Sequence, residues 1–222
     1  MDRIEDMTDR YNRPLEVYTI GHSNHSVNRF VELLHETGIT AIADVRSTPY
    51  SGRFPHFNQP ELKQALSDGG IAYVFLGEAL GARTKDRSCY QEGRTDYELI
   101  ASTEAFERGL DRVEVGARKY RIALMCAERE PLDCHRTILV SRWLQARGMS
   151  VLHVLADGSI EPNEFTEKRL LKMMKMETGD LFDTPESHAD PLTEAYKKRG
   201  REIAYIEEQS ETEDLATETS AA

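Results

Sequence analysis

Residues 126–136, CAEREPLDCHR, set two thiols, a carboxylate, an imidazole and a guanidinium between the end of an apolar run and the start of a helical pattern. With Asp133 as N-cap, the predicted helix 134–147 carries Cys134, His135 and Arg136 in its first turn. Backbone N–H groups are unpaired there and the helix dipole favours negative charge. A cysteine so placed ionises more readily, and Arg136 offers a planar fork to a phosphate or carboxylate. The chemistry implied is an anion-accepting site with a thiolate beside it. Cys134, or Cys126, is the candidate nucleophile or redox thiol. Asp44 or Glu128 is the candidate general base or acid, and His22 would orient or shuttle a proton. Arg46 and Arg136 would clamp the anion, with Ser23, Asn24, Tyr50 and His135 as further substrate contacts.

Each assignment has a plainer rival. Cysteine is among the most buried residue types, so either thiol can be packing. Asp44 and Arg46, two apart on a strand, point the same way and suit a structural ion pair. Cys89 lies in a polar loop and has no assigned role. His153 reads as a satisfied core histidine, and His35 as a surface helix residue. Cys126, Cys134, His135 and His22 are zinc-ligand types. The seven-residue gap between the cysteines is not a knuckle spacing, however, and neither CxxC nor HExxH occurs, so no metal site is expected. GxGxxG, GxxxxGK[ST] and GxSxG are missing too, and no cofactor is called for.

The elements that must position these residues alternate along the chain. Apolar strands are predicted at 15–20, 39–45, 71–76, 120–126 and 150–155. Helical patterns fall at 26–38, 60–67, 97–101, 103–117, 134–147 and 163–176. Strands this apolar cannot face water on either side. They predict a single three-layer α/β domain, with a mainly parallel sheet of about five strands and helices on both faces. In such a sheet ligands bind outside the carboxyl ends of the strands, where His22-Ser23-Asn24, Asp44, Arg46, Cys126 and Glu128 all fall. Residues 1–14 read as a flexible leader, 15–178 as the domain, and 179–222 as an extension. That extension ends in a disordered tail, with six acids and no base from Glu207 onward.

The chain of 222 residues has a formal net charge of −11, which argues against coating duplex DNA through a broad basic face but allows a local basic pocket. No apolar run reaches the ~20 residues of a membrane span, and the charged N-terminus is unlike a secretory signal. Three cysteines build no disulfide framework, so a reducing cytoplasm is expected. The expected partner is a small anionic or nucleotide-like ligand, or a nucleic-acid end. Nothing in the sequence speaks to oligomeric state.

Four motifs in order, TIGHSN (19–24), DVRSTPYS (44–51), GIAYVFLGEALGAR (70–83) and CAEREPLDCHR (126–136), resemble the bacterial and archaeal family called "domain of unknown function 488". The likeness covers about residues 15–160 and is less typical after about 178. It implies an α/β fold and a pocket at these motifs, without an established activity. The matching positions are Gly21, His22, Ser23, Asp44, Arg46, Pro49, Cys126, Glu128, Cys134, His135 and Arg136. The leading expectation is an enzyme acting on a nucleotide, a nucleic-acid end or a modified base. A second is a non-catalytic nucleotide or single-strand binding module, stacking bases on Tyr50, Phe54, Phe57 and Tyr90. A third is a thiol redox or sulfur-transfer protein cycling Cys126 and Cys134.

Overall fold

Every residue from Ile122 to Cys126 is buried, and the strand pleat sends alternate side chains to opposite layers. Ile122, Leu124 and Cys126 enter one apolar core, and Ala123 and Met125 enter another. Two cores on either side of one sheet make three layers. The computed structural model describes residues 14–176 and 190–207. The expected leader, the boundary near 178 and most of the acidic tail lie outside these residues.

In chain order the elements are β1 (Glu16–Gly21), α1 (Val27–Glu36), β2 (Ala41–Asp44), α2 (Gln59–Asp68), β3 (Ala72–Phe75) and α3 (Gly77–Leu80). A ribbon of β4 (Tyr90–Gln91) and β5 (Arg94–Thr95) follows, then α4 (Tyr97–Ala101), α5 (Glu104–Ala117) and β6 (Ile122–Cys126). The chain continues through α6 (Arg142–Ala146), β7 (Ser150–Val154), β8 (Ile160–Pro162), α7 (Asn163–Met174) and α8 (Pro191–Ile203). The main sheet runs β3-β2-β6-β1-β7-β8. All neighbours are parallel except β8, which is antiparallel to β7. The five expected strands are there. The sixth, β8, has three residues and a proline, which an edge strand tolerates.

Helices α1 and α2 cover one face with Phe30, Leu33, Leu34, Leu62 and Leu66. On the other face Phe106, Leu110 and Val113 of α5, Leu144 of α6 and Leu170 of α7 pack. Local signals set the bounds of α1: the Ser26 hydroxyl accepts from Arg29 N–H, and Gly38 leaves the helix at φ 68°. The extension holds more order than its pattern foretells. Helix α8 buries Ala195 and Tyr196, and Arg199 donates to Leu132 O at 3.0 Å. Its buried face is small and mostly not aliphatic, so hydrophobic periodicity barely marks it.

Strand register does the positioning. Gly21 lies beside Cys126, and Asp44 beside Met125. The carboxyl ends of β1, β6 and β2 are therefore flush, and His22, Asp44 and Cys126 meet at one edge of the sheet.

Candidate active site

The loops after β1 and β6 extend the sheet ladder past its end. His22 N–H donates to Cys126 O and Ser23 N–H to Ala127 O, both at 2.9 Å. The approach is so close that a Cβ on Gly21 would lie 1.8 Å from Glu128 O, which explains glycine at the end of TIG. Ser23 then turns through φ 51°, a rare conformation for a residue with a side chain. From the other side Arg136, wholly buried, donates to Glu128 O at 2.6 Å and to Arg129 O at 3.2 Å. The 126–130 loop is thus held from both sides.

The expected helix start is displaced. Residues Pro131–Asp133 form a 3₁₀ turn, Cys134 is extended, and Arg136–Ser141 form a π-helical turn before α6. Asp133 is therefore not the N-cap. Cys134 takes that role: its carbonyl accepts from Thr137 and Ile138, and its sulfur from Arg136 N–H at 3.4 Å. π-turns inside helices are enriched at functional sites.

Four groups converge here. The Cys134 thiol donates to Glu128 Oε2 at 3.0 Å. His135 Nδ1 lies 3.6 Å from Cys126 Sγ and 3.9 Å from Cys134 Sγ. The other ring nitrogen, Nε2, donates to Val45 O at 2.9 Å, which leaves the Nδ1 lone pair facing the sulfurs when the ring is neutral. All four ligand-type atoms lie within 4.8 Å of one another, so the seven-residue gap is no obstacle to a metal site once the loop folds back. Burial pushes the Cys126 thiol well above the ordinary range, and the neighbouring Cys134 adds to it. Burial also opposes ionisation of Cys134. The hydrogen bond from Cys126 and the charges of Arg136 and His135 outweigh it and hold Cys134 well below that range. Glu128 is raised by burial and by the charge of Cys134. His135 is lowered by burial but raised on balance by Cys134 and Glu128.

A second buried polar group lies across the sheet edge. Asp44, fully buried, accepts from Arg46 Nε at 2.9 Å, Arg46 Nη2 at 2.7 Å, Arg46 N at 3.1 Å and Tyr73 OH at 2.9 Å. Arg46 Nη1 donates to Phe57 O at 2.9 Å and to His22 Nε2 at 3.4 Å. Four of its five N–H groups are thereby engaged. His22 stacks on Phe57 with ring centroids 4.1 Å apart, and burial together with Arg46 lowers its pKa to about 4. It is neutral near pH 7, and its Nε2 is an acceptor that steadies Arg46.

Between the two groups opens a cavity of about 800 Å³. Cys126, Glu128 and His135 form one wall, and His22, Ser23, Asn24 and Arg46 another; Tyr50, 69% exposed, stands at the rim. Asp44, Cys134 and Arg136 do not line it. Asp44 is sealed behind Arg46, so a proton-transfer role for it gives way to a buttress. The guanidinium of Arg136 grips the backbone and would have to leave two carbonyls to clamp an anion. Phe57, expected as a stacking surface, is fully buried beneath His22. His153 is the satisfied core residue expected, 2.8 Å from both Thr19 Oγ1 and Asn163 Oδ1.

Three lining arginines were not singled out as site residues: Arg53, Arg83 and Arg129. Among the described residues no carboxylate lies within ion-pair distance of them. Arg83 is braced by its N–H on Ser47 Oγ, 2.8 Å, and rests over the ring of Tyr205, which reaches the cavity from beyond α8. Arg83 is the last residue of the GIAYVFLGEALGAR motif, and this is the only sequence signal for any of the three. No described helix is long and apolar enough to cross a membrane.

Residues 26–143, just over half of the 222-residue chain, match the family model described as Domain of unknown function DUF488. No curated protein and no solved structure matches the chain.

Proposed function

The chain belongs to the DUF488 family, and we propose that it is an enzyme. It takes a small anionic, nucleotide-like substrate into the strand-end cavity and presents the reacting end to Cys126, Glu128 and His135. One observation carries this reading: a protein of net charge −11 gathers Arg53, Arg83 and Arg129 around a single cavity walled by buried sulfur and imidazole groups and by the exposed Glu128 carboxyl. Its volume of about 800 Å³ lies within the range of small-molecule sites, roughly 300–1,000 Å³. The arginines supply the forked donors that phosphate prefers. Glu128, raised by burial and set on the cavity wall, is the group we assign as general acid. Arg46 keeps about one N–H group for a ligand and otherwise shapes the wall.

A second reading, thiol redox or sulfur transfer by Cys126 and Cys134, is favoured by the two sulfurs lying within 4.8 Å of each other. A stacking-driven binding module is less well supported, because Phe57 lies in the core and Tyr50 alone of the expected aromatics is largely exposed.

Calorimetric titration with inorganic phosphate and with nucleoside monophosphates tests the proposal. Wild-type protein should bind a nucleoside monophosphate, and Arg83→Ala or Arg53→Ala should weaken it about tenfold to a hundredfold. That is the loss of a charge-assisted contact of roughly 1.5–3 kcal/mol. Equal affinities in wild type and both variants, or no anion binding at all, would remove the anion-substrate reading.

A further inference from the structure

We propose that Cys126, Cys134 and His135 form a binding site for a thiophilic transition metal of the zinc class, with Glu128 at the fourth position on the cavity side. The inference deepens the proposed enzyme reading by naming its reacting centre. It rests on the same cluster but not on the arginines.

Distances carry the argument. Bonds of about 2.3 Å to sulfur and about 2.0–2.1 Å to nitrogen put a sulfur and a nitrogen at neighbouring corners of a tetrahedron about 3.6 Å apart. The two sulfur–Nδ1 separations are 3.6 and 3.9 Å. All four candidate atoms lie within 4.8 Å of one another, so small side-chain shifts suffice to complete the shell. The histidine is already oriented as a ligand, because Nε2 donates to Val45 O and Nδ1 points at both sulfurs. Metal-binding histidines are normally fixed this way, through the other ring nitrogen.

Charge points the same way. Two cysteines at most 3% exposed and a carboxyl group share one site, facing a single buried guanidinium that is occupied by carbonyls. A metal would displace the proton from each thiol, and the buried thiolates so formed would need a charge partner. A divalent cation supplies it. Thiolate and imidazole select zinc, iron or copper over magnesium or calcium. The three inner ligands are buried, whereas Glu128 is exposed to the cavity. Glu128 is therefore the ligand that water or a substrate atom would replace, which makes the centre open rather than purely structural.

The test is cobalt(II) titration of the reduced full chain, followed by optical spectroscopy, together with metal analysis of protein purified without chelator. One ion per chain should bind, with thiolate-to-cobalt charge-transfer bands and the intense visible bands of a tetrahedral site. Cys134→Ser and Cys126→Ser should each abolish the charge-transfer signal of the missing sulfur and weaken binding by more than about tenfold. Glu128→Gln should retain the ion. Because a cysteine variant can misfold, alkylation of the wild type gives a second readout: zinc should protect two of the three thiols, and a chelator should restore their reactivity. Absence of cobalt–sulfur bands in fully reduced wild type would overturn the site. So would rapid formation of a Cys126–Cys134 disulfide with no protection by zinc. Cobalt binding without phosphate binding would leave the metal site standing and remove the anionic substrate; the converse would do the reverse.

Discussion

Two buried polar groups face each other across the cavity, and they differ in completeness. In the Asp44 group four of the five Arg46 side-chain N–H groups, the Arg46 backbone N–H and the Tyr73 hydroxyl meet acceptors, all at 2.7–3.1 Å except the weaker Arg46–His22 contact. In the Cys126–Glu128–Cys134–His135 group Cys134 meets Glu128 at 3.0 Å, but the contacts of His135 Nδ1 with the two sulfurs are long, at 3.6 and 3.9 Å. Behind it Arg136 Nε and the Thr137 hydroxyl have no partner among the described residues. A network satisfied by its own members holds a shape. A network whose lone pairs converge on a common point, with charge left over, suits a ligand or a reaction. On the proposed reading one charged cluster is scaffold and the other is chemistry, only a loop apart.

Mutating the scaffold side should give the largest loss of stability. Asp44→Ala strands the buried guanidinium of Arg46 and should cost about 3–5 kcal/mol, read as a fall in the urea midpoint. A loss under ~1 kcal/mol would mean that Arg46 re-pairs or reaches solvent, and the contrast between the two groups would fail.

Acid should act next. Burial holds the pKa of His153 at about 4, and burial with Arg46 holds His22 there too, against an ordinary 6.5. Between these values the unfolded chain binds more protons than the folded one. Stability is therefore fully present above about pH 6.5 and declines as pH falls toward 4. At ~1.36 kcal/mol per pKa unit each histidine contributes up to about 3 kcal/mol, less where solvent reaches it. Unfolding midpoints from pH 7 to pH 4 should show the decline, and His153→Gln should flatten it. An unchanged slope in that variant would mean other groups carry the acid limb.

The chemistry side should behave oppositely. In metal-free protein Cys134→Ser should change stability by about 1 kcal/mol or less, since a hydroxyl can still cap the turn. Turnover should nevertheless be lost and metal binding weakened by more than about tenfold. A loss of several kcal/mol would make Cys134 a core residue first. The smallest effect on the fold is expected for Arg83→Ala, within about 0.5 kcal/mol as for other surface changes.

Motif residues and strand ends were legible because alternating apolar runs fix the sheet, and the sheet fixes where its loops emerge. The side-chain partners were not. Arg46 and Arg136 look alike in sequence, yet one reaches a carboxylate and a cavity wall, and the other two carbonyls. Only the return of the 126–136 loop decides that. The same return brings Cys126 to Cys134 across a spacing that matches no familiar metal motif. Arg53 and Arg129 sit in charged loops where nothing local distinguishes a cavity residue from a solvated one. Tyr205 follows a helix whose apolar face was too small to read.

The central claim is that the arginine-lined cavity delivers an anionic substrate to the sulfur cluster. A crystal soaked with a nucleoside monophosphate tests it most directly. The account predicts the phosphate within hydrogen-bonding distance of Arg53, Arg83 or Arg129, and the opposite end of the ligand against Cys126 and Glu128. A ligand bound elsewhere, or one in the cavity with its phosphate turned away from all three arginines, would contradict it.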